Sequence, residues 1–469
     1  MIQVPGGTTQ VFRRYSKMPA TPARAAAFEI LLRVDRDHSY ASELLHSDRN
    51  AKLSPTDHGL ATELVMGVLR WRSMLDERLA SASSQKLDRL DLEILTALRL
   101  GMYQLMFLSR IPARAAIFEA VELVKTARKR SAAPFVNAVL RKVAANQPDV
   151  FRGVQGATDA KTLATNSAHP DWLVDRWTDR YGLVTARQIS AHDQTVPVTA
   201  IHVQDNQTAD ELSQAGIQLS PGLLLTGARR VPSGDVTKTR AYREGRASIQ
   251  DEASQLVALL VGRGEKILDC CAAPGSKTQI LARRNPRAKV FAADLHPHRA
   301  RLLRELTNSP NINVLAADAG RLPFHPGFDR ILADVPCSGT GTLARNPEIK
   351  WRLTAEDLLD LQSRQVAILK SAFAHLAPGG RLVYSTCSLE REENEVVVET
   401  MLAERHECNL IDCRAHLEQL QRSGELAWPD LDSLLSGAYL RTLPGIHPCD
   451  GFFAAIIERT ADSPHFKIH

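Results

Sequence analysis

The sequence predicts a multidomain chain: an all-α bundle, then a small α/β module, then a doubly wound α/β domain of Rossmann-like type. Three observations carry that reading. Apolar residues recur at helical spacing up to about residue 147. From about residue 246, short apolar strands ending in Asp, Cys or Thr alternate with helical segments, the pattern of a parallel sheet covered on both faces. The length of 469 residues suits roughly three domains at about 150 residues each.

Residues 1–20 read as a flexible polar leader. The bundle then spans 21–147. Thr21-Pro22 and Ser54-Pro55 are helix starts, with a capping residue before a Pro whose fixed φ suits the first turn. Ala27, Leu31 and Val34 line the first helix, and Leu60, Leu64 and Val68 the second. Ile94 to Met106, Ile117 to Val124 and Phe135 to Val143 give three more amphipathic stripes. Residues 148–245 read as a small linker module, with a short helix at Trp172 to Tyr181, a strand at 196–203 and a helix at 208–215. The domain at 246–460 offers strands at 266–271, 290–295, 313–318, 329–334 and 381–386, and a long helix at 355–376.

Composition excludes several classes. An apolar fraction of 44% with 24% charged residues describes a chain that can bury a core, not a disordered one. No run approaches the roughly 18 apolar residues of a membrane span, and the N-terminus has no apolar stretch of signal-peptide type. Seven Cys without paired spacing predict free thiols in a reducing cytoplasm. The net charge of +5 is uneven: residues 1–150 hold 22 Lys+Arg against 15 Asp+Glu, so all the excess lies in the bundle. That hints at a polyanionic partner. The run Lys125, Arg128, Lys129 and Arg130 reads either as a solvated helix end or as an RNA contact.

Ligands of an open α/β sheet sit beyond the carboxyl ends of the strands. The first strand is followed by Cys271-Ala272-Ala273-Pro274-Gly275-Ser276-Lys277, whose small side chains let a ligand approach the backbone. The loop lacks both GxGxxG and GxxxxGK[ST], which weighs against a dinucleotide and against ATP. Asp294, placed to accept both ribose hydroxyls, ends the second strand; Asp318 ends the third and Asp334 the fourth. Uncompensated acids around one cleft suit a cationic ligand such as a sulfonium carrying an amino group. Any one of these Asp residues also fits a turn or a helix cap. Two Cys lie at further strand ends: Cys337 in DVPCS and Cys387 in TCS. A thiolate adding to C6 of a pyrimidine makes C5 enamine-like and able to attack an electrophilic methyl.

These residues fall in long, particular motifs: LDCCAAPGSKT (268–278), DVPCSGTGT (334–342), RNPEIKW (345–351), STCSLEREENE (385–395) and DGFF (450–453). With them the C-terminal half resembles the bacterial RNA cytosine-5 methyltransferases of the Sun/NOL1/NOP2 family. GMYQLMFLSRIPARAAIFEAVELVK (101–125) and NAVLRKV (137–143) make the bundle similar to the NusB RNA-binding fold. The combination resembles the small-subunit rRNA methyltransferase B type.

That resemblance implies S-adenosyl-L-methionine as methyl donor and a cytosine of 16S rRNA as target, in a monomeric protein of the cytoplasm. It implies that Cys271 through Lys277 (Cys271, Ala272, Ala273, Pro274, Gly275, Ser276, Lys277) form the cofactor loop. Asp294 then holds the ribose, Asp318 lies near the adenine, and Asp334 stands between cofactor and base. Cys387 is the implied nucleophile, Cys337 assists product release, and Lys277 steadies Asp334 or the thiolate. Ser276 departs from the Gly common in relatives. Other readings stay open: the same chemistry on tRNA or another RNA, a DNA methyltransferase using the Pro-Cys thiol of Cys337, or a non-catalytic RNA-binding assembly factor of NusB type. The spacing of His406, Cys408, Cys413 and His416 resembles a zinc site only loosely and reads as ordinary buried Cys, so no metal is expected.

Overall fold

The computed structural model describes residues 20–145, 153–307 and 309–461. The expected leader lies outside them except for Ala20. Contacts divide the chain into two units: residues up to Thr195 together with Leu343–Arg352, and Val196–Thr342 together with Leu353 onward.

The first unit is helical. Pro22–Asp37, Ala41–Leu45, Pro55–Arg70, Arg72–Ala82, Leu92–Phe107, Ala113–Thr126 and Ala133–Ala145 form the bundle. Five of these follow the predicted stripes. Ala41–Leu45 is a single turn too short to show a period, and Arg72–Ala82 buries only Met74, Leu75 and Leu79. Phe28, Leu31, Leu64, Val68, Leu98, Leu123 and Leu140 share the core, each contributing roughly 1.5–3 kcal/mol by burial. Ser54 starts its helix as predicted, accepting the Asp57 N–H at 3.1 Å. Thr21 does not cap with its side chain; its amide instead donates to Glu119 Oε2 at 2.9 Å.

Two more helices, Ala160–Ser167 and Asp171–Asp193, belong to this unit, the second interrupted where Gly182 takes φ 78°. The division at Thr195 falls inside the expected module at 148–245, with the buried Leu163, Leu173, Val174 and Trp177 on helices of the first unit. The segment Leu343–Arg352, carrying the RNPEIKW motif, also belongs here. Lys350 is buried, with Nζ donating to the carbonyls of Arg70 (2.8 Å) and Ala168 (2.9 Å). Glu348 accepts the Ala41 N–H at 2.9 Å, and Trp351 Nε1 donates to the Leu69 carbonyl at 2.6 Å.

The second unit begins with an antiparallel sheet of β1 (Thr199–Val203), β2 (Gln218–Pro221), β3 (Ala228–Ser233) and β4 (Ala247–Ile249), in the order β2-β3-β1-β4. The larger sheet holds β5 (Lys266–Asp269), β6 (Lys289–Asp294), β7 (Ile312–Ala316), β8 (Phe328–Asp334), β9 (Leu376–Thr386), β10 (Cys408–Ile411), β11 (Leu435–Ser436), β12 (Tyr439–Thr442) and β13 (Phe452–Arg459). Its order among the described residues is β11-β12-β13-β9-β8-β5-β6-β7, with β10 also on β13. β5 to β9 pair in parallel, as predicted. β13 runs antiparallel to β9 and carries β12 and β10, so the sheet is mixed. Phe452–Ile457 is a continuous buried run, which has no two-residue alternation to reveal a strand. From β5 the chain winds outward to β6 and β7, then returns to β8 and β9. The direction reverses between β5 and β8, and a crevice forms at such a reversal, beyond the strand ends.

Candidate active site

β5 delivers Asp269 to the switch point, and the loop 270–275 leads into the helix Ser276–Arg284. Gly275 makes that entry possible. Its φ is 114°, and a Cβ there would stand 2.5 Å from Leu303 Cδ1. Within the loop, the Ala272 N–H donates to the Ala293 carbonyl at 2.8 Å, Pro274 is exposed, and Ser276 opens the helix. Arg299 Nη2 donates to the Ala273 carbonyl at 3.2 Å. Asp269 is buried and accepts the Thr278 hydroxyl at 2.7 Å on Oδ2, while Oδ1 has no partner. Burial pushes its carboxyl up to about 7; the Thr278 hydrogen bond opposes this and the Asp334 charge adds to it.

Asp294 ends β6, nearly buried, and accepts the His296 N–H at 3.1 Å. Asp318 lies two residues past β7, exposed, where it caps the turn Ala319–Arg321 through the Gly320 N–H at 2.8 Å. Asp334 ends β8. Its Oδ2 is 2.7 Å from Lys277 Nζ, and its Oδ1 accepts the Ser385 hydroxyl at 2.7 Å. The expectation of uncompensated acids is thus corrected at two positions. Lys277 pairs with Asp334, and Arg299 Nε stands 3.9 Å from Asp294 Oδ2. Lys277 lies on the helix after β5, 57 residues before Asp334 at the end of β8, while Arg299 lies on the helix Pro297–Leu306 that follows Asp294; spacing alone reveals neither pairing.

Cys337 and Cys387 come together across 50 residues of sequence, their sulfurs 3.2 Å apart. Parallel pairing of β8 with β9 sets Asp334 opposite Ser385, which brings both strand ends to one place. The Cys387 N–H donates to Cys337 Sγ at 3.3 Å, and its carbonyl accepts the Gly341 N–H at 2.9 Å. Gly341 is needed there, since a Cβ would lie 2.2 Å from the Gly451 carbonyl oxygen. The DGFF motif therefore serves as backing for the cysteine turn, and its Phe452 ring lies 5.4 Å from Lys277 Nζ.

Lys277 is raised above its ordinary value: burial works against its charge, but Asp334 beside it, then Asp269 and Cys387, outweigh that. Cys337 is also pushed well up, first by its hydrogen bond with Cys387, then by burial. Burial and the carboxylates of Asp269, Asp334 and Asp294 push up the Cys271 thiol, which keeps it protonated and unreactive. Cys270, Cys413 and Cys449 are buried and raised likewise. Cys408 lies in β10 while Cys413 opens the helix Cys413–Arg422, and no group of three or more His, Cys, Asp or Glu is arranged to hold a metal among the described residues. Sequence reasoning missed Ser385 and the buried Glu393, which accepts the Ser338 N–H at 2.8 Å. Both stand inside the quoted STCSLEREENE motif, but nothing in the string says which of its acids turns inward.

Residues 256–458 match the family described as 16S rRNA methyltransferase RsmB/F, and residues 21–145 match the NusB family. The probable ribosomal RNA small subunit methyltransferase B of Bacillus subtilis is 33% identical over 451 residues, covering 93% of this chain and 98% of its own. The chain belongs to the ribosomal RNA small subunit methyltransferase B family. The Vibrio cholerae member is 31% identical over 453 residues, covering 93% of this chain and 97% of its own. Among solved structures, that of PH0851 aligns with a TM-score of 0.76 at 20% identity, over 94% of this chain and all of that one. NSun6 from Pyrococcus horikoshii, solved with SFG, aligns at 0.53 and 19%, over 63% of this chain and 100% of its own. These two share the fold.

As a methyltransferase B family member, the protein is an RNA methyltransferase dependent on S-adenosyl-L-methionine. The β5–β8 crevice fits that donor. Asp269 Oδ1 is a buried oxygen with no partner, and three carboxylates converge electrostatically on the Cys271 sulfur at the loop. Such a region suits a ligand with sulfonium and ammonium charges. In the NusB-like part, Lys125 pairs with Glu122 at 2.6 Å and Lys129 with Asp91 at 2.8 Å, while Arg128 and Arg130 are exposed. No helix among the described residues is long and apolar enough to cross a membrane.

Proposed function

We propose that the protein transfers a methyl group to C5 of a cytosine in 16S rRNA through a covalent bond between Cys387 and C6, acting as a monomer in the cytoplasm. The observation that carries the reading is the Cys337–Cys387 pair, sulfurs 3.2 Å apart, on strand ends shared with the Lys277–Asp334 pair. Cys387 Sγ attacks C6, and electrons shift toward C5. S-adenosyl-L-methionine, when bound by the 271–277 loop with Asp294 at its ribose and Asp318 near its adenine, supplies the methyl that C5 takes up. Loss of the C5 proton then lets the Cys387–C6 bond break, with Cys337 assisting release.

Asp334, held at one oxygen by Lys277 and at the other by Ser385, is set to hydrogen-bond the N3/N4 edge of the base. All seven cysteines are free, as a thiol nucleophile in a reducing compartment requires. The family's rRNA methyltransferases support the substrate, and the NusB-like bundle, holding the basic excess, supports phosphate contacts while the crevice reads the base. The test is methyl transfer from labelled donor to naked 16S rRNA, assembled small subunits, tRNA and DNA, with the product position mapped. 5-Methylcytosine in 16S rRNA is expected. Label confined to tRNA or DNA, or on another atom of the base, overturns the assignment.

A further inference from the structure

Directly behind the two thiols lies a carboxylate that the methyl-transfer chemistry does not use. Glu393 is fully buried in the turn Arg391–Glu393. No Lys or Arg pairs with it among the described residues, so hydrogen bonds must replace the water it gave up. Four donors do so. Oε1 accepts the Ser338 N–H at 2.8 Å and Gln365 Nε2 at 2.9 Å; Oε2 accepts the hydroxyls of Ser338 and Ser388. Its own carbonyl accepts the Tyr384 hydroxyl at 2.5 Å, which anchors the turn to β9.

The donors are not scattered. Ser338 is the residue after Cys337 and Ser388 the residue after Cys387, so one carboxylate gathers both cysteine turns. The two serine hydroxyls stand 3.0 Å from each other. Gln365 extends the tie on one side by donating to the carbonyl of Pro336, just before Cys337, at 2.9 Å. On the other side Ser388 Oγ accepts the Glu390 N–H at 3.0 Å, and Thr340 Oγ1 accepts the Leu389 N–H at 2.9 Å. A core position whose only duty was packing would be filled as well by an apolar side chain.

We propose that Glu393 is a positioning residue that clamps the Cys337 and Cys387 turns on one carboxylate and holds the two sulfurs in register. This rests on the reading that Cys387 attacks and Cys337 assists release. The groups facing the Cys337 sulfur are Cys387, Glu393 and Tyr384. Negative charge at Glu393 favours the protonated form of Cys337.

The test uses the full chain. Alkylation of Cys337 and of Cys387 by iodoacetamide is followed from pH 6 to 10, each site resolved by peptide mass spectrometry. Glu393→Gln removes the charge that faces Cys337 and is expected to raise Cys337 alkylation at pH 8 several-fold, and Glu393→Asp to return part of it. With RNA and donor, Glu393→Gln is expected to accumulate the denaturation-resistant adduct, because attack proceeds and release is slowed. An unchanged Cys337 profile in Glu393→Gln overturns the clamp. Should that variant lose its circular dichroism, Ser338→Ala and Ser388→Ala each remove one donor and keep the carboxylate. Because the charge is kept, a rise in Cys337 reactivity there reports a loosened cysteine turn; a smaller rise in both is expected, and no rise in either overturns the proposal. If Cys337→Ala traps no adduct with RNA, the chemical reading fails, while the alkylation comparison, which needs no RNA, still decides the clamp.

Discussion

Cys337 Sγ stands 3.2 Å from Cys387 Sγ, and the backbone N–H of Cys387 points at the Cys337 sulfur from 3.3 Å. One thiol therefore has a second poised beside it, and the proposed mechanism gives the two separable duties. Cys387→Ala is expected to abolish methyl transfer and adduct formation. Cys337→Ala is expected to trap a protein–RNA adduct visible on denaturing gels. Wild-type turnover in Cys387→Ala would show that the nucleophile is elsewhere.

The same closeness makes the pair oxidisable. Closing to a disulfide bond of about 2.05 Å needs only a local shift. With hydrogen peroxide, the two thiols give up two protons and two electrons as the S–S bond forms, and the peroxide takes them up to become two molecules of water. Methyl transfer should fall with formation of a Cys337–Cys387 linked peptide and return with dithiothreitol. Inactivation without that peptide would mean that oxidation acts at another site.

Gly341→Ala tests the backing of the cysteine turn. Its Cβ would meet the Gly451 carbonyl oxygen at 2.2 Å and the Cys387 carbonyl oxygen at 2.9 Å. Main chain cannot step aside cheaply, and a displacement of about 1 Å near the reacting atoms costs about 100-fold in rate. Single-turnover methyl transfer in a folded variant should show a loss of that size; near-wild-type kinetics would mean that the turn has slack.

Lys350 predicts a pH-dependent stability of the helical unit. Burial pushes its ammonium down to about 7, with Asp193 opposing and Arg70 adding to the fall. An unfolded lysine titrates near about 10.4. The unfolded chain thus binds more protons between those values, and stability rises as pH climbs from about 7 to about 10. Lys350→Met removes this dependence together with the bonds to the Arg70 and Ala168 carbonyls. Its deficit against wild type in thermal unfolding should be larger at pH 9 than at pH 6. An equal deficit at both would contradict the assignment.

Arg128 and Arg130 test the RNA grip in the full chain. A truncation at 147 would not serve, because Arg70 and Leu69 hold Lys350 and Trp351 from the far end of the sequence. Arg128→Glu with Arg130→Glu should weaken RNA binding and lessen the slope of log affinity against log salt by about 1–2. An unchanged slope would leave these arginines as a solvated helix end.

Much of the fold was legible along the chain. The five stripes of the bundle and the five parallel strands show themselves because helical and strand burial each leave a period or an apolar run bounded by turn residues. Arg72–Ala82 did not, with three buried apolar residues in a surface helix, and neither did β13, whose burial on both faces erases alternation. The division at Thr195 was hidden as well, since which core a helix joins depends on surfaces far away in sequence.

The site divides in the same way. The sequence by itself determined which chemistry-bearing residues stand where along the chain: two cysteines after strand ends, acids on successive strands, and a loop of small residues. Those are covalent facts, and strand periodicity is enough to place them at one edge of a sheet. Only the tertiary structure decided the partnerships: Lys277 on Asp334, Arg299 near Asp294, Lys350 in the helical unit and Glu393 beneath both cysteine turns. An ion pair or a buried carboxylate is settled by what lies within a few ångströms once water is removed. That neighbourhood is assembled by crossovers and by the β8–β9 register, and sequence distance does not encode it.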